Sequence, residues 1–65
     1  MVMHMIYEIW TDYGTDSQNC YSITDNIISA EQYYRSATNN GSSEVSVMVF
    51  DLDSESPLYE LNFDE

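Results

Sequence analysis

Only one side chain in this sequence, Arg35, carries a permanent positive charge, while twelve carry carboxylates, and the net charge is −11. That imbalance constrains the fold more than any other feature. Self-repulsion on this scale works against a compact state. A chain of 65 residues has little to set against it. A domain this small buries only about 60% of the surface its unfolded form exposes, so its net stability is about 3–5 kcal/mol. The apolar residues that must supply it are present: hydrophobic content is 43% and aromatic content 14%, too high for a disordered acidic tail. One folded domain over residues 1–65 is expected.

The same charge sorts the partners. Phosphate recognition needs cations, so direct binding to nucleic acid is not expected. An anionic membrane surface is unsuitable for the same reason. A basic protein is the natural counterpart. Solubility alone asks for a net charge of only about 2–8 in a small domain, and it does not account for a chain with no lysine.

Cys20 is the only cysteine, which rules out an internal disulfide. A structural zinc site takes four Cys or His ligands, and the chain offers only Cys20 and His4. No metal or other cofactor is expected, and a reducing compartment such as the cytoplasm of a host cell fits. The opening MVMHMIYEIW lacks the basic region and small-residue cleavage site of a signal peptide. No apolar run approaches the roughly 20 residues that cross a bilayer.

Patterning gives the elements. In residues 1–12 Met3, Met5, Tyr7 and Ile9 share one face, while His4, Glu8, Trp10 and Asp12 share the other with Ile6 as the exception. Period two with one polar face predicts an antiparallel strand. Residues 13–19, YGTDSQN, are turn-formers. From Cys20 onward two readings are open. Tyr21, Ile23 and Ile27 fit the buried face of a returning strand; Ile23, Ile27, Ala30, Tyr34 and Ala37 fit a helical stripe that would start near residue 24. Ser29 to Gln32 forms a capping box, and Glu31 would then sit in the first turn, where it suits the helix dipole. This predicts a helix over about 29–39, closed by Asn39-Asn40-Gly41. Residues 44–52 carry Val45, Val47 and Val49 on one side and Met48, Phe50 and Leu52 on the other, the mark of a central strand. A loop ending at Pro57 leads to a last strand at an edge, with Tyr59, Leu61 and Phe63 facing one way. The sum is α+β: a small antiparallel sheet of three or four strands with one short helix packed on a face, ββαββ or βαββ.

The carboxylates are unevenly placed. Glu44, Asp51, Asp53, Glu55, Glu60, Asp64 and Glu65 give residues 41–65 a charge of −7, against −4 for residues 1–40. Alternate residues on a strand share a face about 6.6 Å apart. Asp51, Asp53 and Glu55 therefore line up at regular spacing if their stretch stays extended, and Glu60, Asn62 and Asp64 repeat the arrangement on the neighbouring strand. Rows of carboxylates on a stiff ribbon match, in charge pattern, the phosphates of a nucleic-acid strand, one per about 3.4 Å. The plainer reading is a solvated sheet face whose acids guard an edge against aggregation.

A very small, lysine-free, acidic chain rich in Tyr and Asn resembles the phage and mobile-element inhibitors that mimic DNA, among them anti-CRISPR proteins and inhibitors of uracil-DNA glycosylase. Asp53-Ser-Glu-Ser56 beside Leu58 is loosely similar to the acidic, serine-containing edge strand of the glycosylase inhibitors. The resemblance implies a non-enzymatic protein that occupies the basic DNA-binding groove of a Cas effector subunit, a glycosylase or a similar nucleic-acid-binding protein. The residues expected to contact such a partner are Asp51, Asp53, Glu55, Glu60 and Asp64, followed by Asp12 and Asp16. The alternative is an acidic interaction module without mimicry, antitoxin-like or completing a homodimer; monomer and homodimer are both open.

Other constellations are weaker. Asp51-x-Asp53-x-Glu55 begins like a calcium loop, but Ser56 and Asn62 stand where that loop needs Gly and a bidentate Glu. A nucleophile–base pair would have to join Cys20 to His4, with no third group to orient the base. Tyr33 and Tyr34 are expected to pack the helix on the sheet, Tyr7, Tyr21 and Tyr59 to fill the core or cap sheet edges, and Trp10 and Tyr13 to be exposed near the first turn. Arg35 is placed to pair with Glu31 one turn away.

Overall fold

The computed structural model describes residues 4–41 and 44–63. These form a four-stranded antiparallel sheet crossed by one helix, the α+β class expected. The elements are β1 (Met5–Thr11), β2 (Asn19–Thr24), α1 (Ile27–Asn39), β3 (Val45–Asp51) and β4 (Tyr59–Leu61). The strand order is β2-β1-β3-β4. Because β2 and β3 both run antiparallel to β1, they are parallel to each other, and a parallel step needs a long crossover. The helix supplies it, lying over β2, β1 and β3.

Directly opposed residues in an antiparallel pair share a face. The register Tyr7↔Val49 and Ile9↔Val47 therefore puts four large apolar side chains under the helix. Tyr7, Ile9, Val47, Val49 and Ala30 form the buried core, with Met5, Tyr34, Val45, Leu61 and Phe63 packed around it. Ile9, Val47 and Val49 have no exposed surface, nor do Ala30 and Ala37 on the helix. The helix meets the sheet through small side chains, which lets the two backbones come close. The centrality of β3, read from apolar residues on both its faces, holds: it lies between β1 and β4.

Several expectations are corrected. The helix starts earlier than the Ser29 box implies. Asn26 is the N-cap, and its Oδ1 accepts the N–H groups of Ile28 at 2.8 Å and Ser29 at 3.2 Å. Asn caps as well as Ser does, and Asn26 precedes Ile27, so the helix gains two residues at its start. Glu31 consequently lies beyond the first turn, which holds no acid. Both competing readings of residues 20–28 had part of the answer: β2 exists, and α1 begins three residues after it. Asn26→Ala should cost about 1 kcal/mol and shorten the helix, read as a lower urea midpoint with reduced helical circular dichroism.

The expected buried face of β2 is also wrong. The pairing passes from Ile9↔Ser22 to Trp10↔Cys20 with Tyr21 unmatched, a β-bulge. Ser22 and Thr24 therefore share the helix side with Ile9 and Tyr7, while Ile23 falls beside Glu8 on the opposite face. Ile23 is 57% exposed, and Tyr21 and Ile27 are exposed as well. A one-residue shift inverts a strand's faces, and nothing local to β2 announces the bulge. Tyr33, expected against the sheet, is exposed, whereas Tyr34 packs on the core and meets Phe63 at 5.5 Å between ring centres.

The connections follow their turn residues. β1 ends at Thr11, and Asp12 takes φ +54°, with its N–H donating to the Glu44 carbonyl at 2.9 Å. Asp is among the few residues that tolerate this left-handed region. Its own carbonyl accepts from Thr15 Oγ1 at 2.7 Å and Thr15 N at 3.2 Å. At the far end of the helix, Gly41 has φ +87° and donates to the Thr38 carbonyl, the expected glycine stop.

Candidate acidic interaction surface

The fold distributes the carboxylates into zones that follow from strand direction. β1 runs from Met5, opposite Asp51, to Thr11, opposite Val45. Six steps of about 3.3 Å make the paired sheet roughly 20 Å long. At the Thr11 end sit Asp12 and Asp16, with Glu44 joined to Asp12 through the backbone. At the Met5 end sit Asp51 and, in the loop that follows it, exposed Asp53 and Glu55. Asp25, which follows β2 at that end, lies 3.5 Å from His4 Nε2. Between the two ends, Glu8 and Glu60 lie on the sheet face that points away from the helix, on either side of Met48.

The row of Asp51, Asp53 and Glu55 at regular spacing does not form, because the chain turns there. The Asp51 carboxylate accepts the Asp53 N–H at 2.8 Å, and the Asp51 N–H donates to Ser54 Oγ at 3.1 Å. Ser54 Oγ and Ser54 N both donate back to the Asp51 carbonyl. Asp followed by Ser three residues on folds into a turn because side chains of this kind bond to nearby backbone. The three acids form an end cluster, not an edge. The second row fails for a different reason. β4 is only three residues long, so Glu60 is its sole acid, and Asp64 lies outside the described residues. Asp12 and Asp16 belong to the opposite end of the sheet. The six predicted site residues among those described are thus divided among three places.

Electrostatically the zones still act together. At 0.01 M salt the Debye length is about 30 Å, longer than the sheet, whereas at 0.15 M it is about 8 Å. At low salt the molecule presents one field; at physiological salt, two ends and a central pair. The single arginine does not dilute that field. Its Nη2 lies 3.3 Å from Glu31 Oε2, one turn away as expected, and its guanidinium lies 5.6 Å from the Tyr34 ring centre.

Glu8 belongs to this surface, although sequence reasoning left it out. Its Oε1 accepts the Trp10 indole N–H at 2.9 Å, which fixes the carboxylate on the open face. The signal was present in the i, i+2 spacing of Glu8 and Trp10, but the neighbour that completes the row, Glu60, comes from a distant strand. Trp10 is partly buried, against expectation, and meets the ring of Tyr13 edge-on at 5.4 Å. Tyr59 is half exposed because α1 does not extend over β4.

The remaining chemistry is sparse. Among the described residues no three His, Cys, Asp or Glu side chains gather as metal ligands. Cys20 stands opposite Trp10, while His4 precedes Met5, roughly 20 Å away along the sheet, so the fold does not bring this pair together. Burial pushes the Cys20 thiol above its ordinary range, and the charge of Glu8 pushes it further, against a weaker opposing hydrogen bond to Ser22. The thiolate is the reactive form. Alkylation by iodoacetamide at pH 8 should therefore be several-fold slower on the folded chain than in urea, and Glu8→Gln should recover part of the rate. Equal rates in both states would contradict it.

No helix among the described residues is long and apolar enough to cross a membrane. Comparison with protein-family models, with curated proteins and with solved structures finds no match to this chain.

Proposed function

We propose that the chain is a non-enzymatic inhibitor that occupies the basic polynucleotide-binding surface of another protein, a Cas effector subunit, a glycosylase or a protein of similar charge, in the cytoplasm of a host cell. The observation that carries this reading is the net charge of −11 held on a small sheet whose only arginine is already engaged by Glu31. A groove built for phosphates presents fixed cations. An acidic protein reaches it by electrostatic steering, and its carboxylates meet the cations that would otherwise hold phosphates. Mimicry here rests on charged zones at two ends and the middle of a molecule whose longest extent is 39 Å, not on a linear ribbon.

The test is competition. The full chain, immobilised, captures proteins from a bacterial lysate at low salt. Duplex DNA is then added at constant ionic strength. Release of the captured proteins by DNA is the expected result; retention under saturating DNA would overturn the reading. The homodimer alternative draws support from the uncovered face of the sheet. It predicts a doubled mass in size-exclusion chromatography that persists from low to high salt.

A further inference from the structure

We propose that the sheet face opposite the helix is an apolar anchor for the partner, and that the partner segment it takes is cationic and amphipathic, with aliphatic side chains set between lysines or arginines. The placement follows from the register. Three rows cross this face. Ile6 and Phe50 form one; Ile23, Glu8, Met48 and Glu60 form the next; Cys20, Trp10 and Ser46 form the third. Apolar side chains make up the first row and lead the third, while the middle row alternates apolar and acidic side chains. No element among the described residues covers them, since the single helix lies on the other side with Tyr7, Ile9, Val47 and Val49. Met48 is nearly buried without any such cover, at 8% exposure. Leu58 is tied to β3 by its N–H to the Val49 carbonyl at 2.7 Å, and it adds exposed apolar surface beside Phe50.

Charge decides the occupant. Glu8 and Glu60 stand in one row on either side of Met48, two strand spacings or about 10 Å apart. Asp53 and Glu55 lie beyond one end of the face, and Asp12 and Asp16 beyond the other. Apolar side chains interleaved with carboxylates, with further acids beyond both ends, are complementary to aliphatic groups set between cations. A second copy would bring −11 against −11 across the same face, with Glu8 and Glu60 opposing their equivalents. An interface of this kind combines aromatic and aliphatic contacts with charge pairs set among them and around them.

The inference rests on the basic partner proposed above, and one experiment separates the two. The full chain, labelled with nitrogen-15, is titrated at low salt with oligolysine and with a peptide in which the same number of lysines alternates with leucine. Both peptides should bind. The Lys–Leu peptide should bind about tenfold tighter, the effect of burying one more large apolar side chain. It should shift the amides of Ile6, Trp10, Met48 and Phe50, whereas oligolysine shifts those around Asp12–Asp16, Asp51–Glu55 and the Glu8–Glu60 pair. Phe50→Ser should remove the advantage; Ile23→Ser, at an exposed position, tests the same point if the first variant does not fold. Equal affinity for the two peptides overturns the anchor and leaves the charge reading standing. No binding of either peptide overturns both. Concentration-dependent shifts of this face without peptide assign it to a second copy and overturn the proposal.

Discussion

Ile9→Ala should leave most of the chain unfolded at room temperature. Ile9 is fully buried at the centre of the core, paired with Val47 and packed among Tyr7, Val49 and Ala30. Truncating a buried Ile to Ala costs about 2–5 kcal/mol, from lost transfer energy and from the cavity left behind. A domain this small has about 3–5 kcal/mol in total, so the loss approaches the whole. Ile9→Val, at about 0.5–1.5 kcal/mol, should fold with a lowered urea midpoint. Ile23→Ala should be nearly neutral, since Ile23 keeps most of its surface in water in the folded state. Sequence reading ranks Ile9 and Ile23 alike as core; only the bulge at Tyr21 separates them. Circular dichroism during urea titration of the three variants checks the order. A cooperative Ile9→Ala transition with an unchanged midpoint would contradict the assigned core.

The second large effect concerns binding. Asp53→Lys combined with Glu55→Lys should weaken binding to a DNA-displaceable partner by about thirtyfold, near 2 kcal/mol. The double change moves the net charge from −11 to −7, and all of it falls in the end cluster. Glu31→Lys changes two charge units on the helix, where Glu31 faces Arg35. It should cost less than threefold. Both Asp53 and Glu55 are exposed. The turn uses the Asp53 backbone N–H and not its side chain, so the fold should survive. Binding curves at several salt concentrations report the mechanism. A shallower slope of log affinity against log salt for the double variant marks lost ion contacts. Equal losses for helix and loop variants would indicate a diffuse field with no preferred surface.

Much of the fold was legible because it is written at short range. Strand alternation in residues 1–12, the apolar groups on both sides of residues 44–52, the turn-formers at 13–19 and Gly41 each act within a few residues. Local backbone preferences therefore fix them. The apolar stripe marks the helix but not its start, because Asn26 and Ser29 are both good caps. The choice between them depends on where β2 lets the chain leave the sheet. The site was less legible. The charge excess belongs to composition, but the supposed rows did not form. Asp51 and Ser54 close a turn on each other, and β4 is too short to carry a second row.

Sequence by itself determined that this chain is an acidic α+β miniature with a thin apolar core and no cations to spare, because composition and i, i+2 or i, i+4 spacing are properties of neighbours along the chain. Only the tertiary structure decided which face of the sheet receives the helix, that Ile23 and Glu8 lie side by side while Ser22 turns inward, and that Glu8 and Glu60 flank Met48. Those facts depend on register between strands up to about fifty residues apart in sequence. Such pairings are set by how the whole core packs, and a one-residue slip at a single bulge reverses a strand's faces.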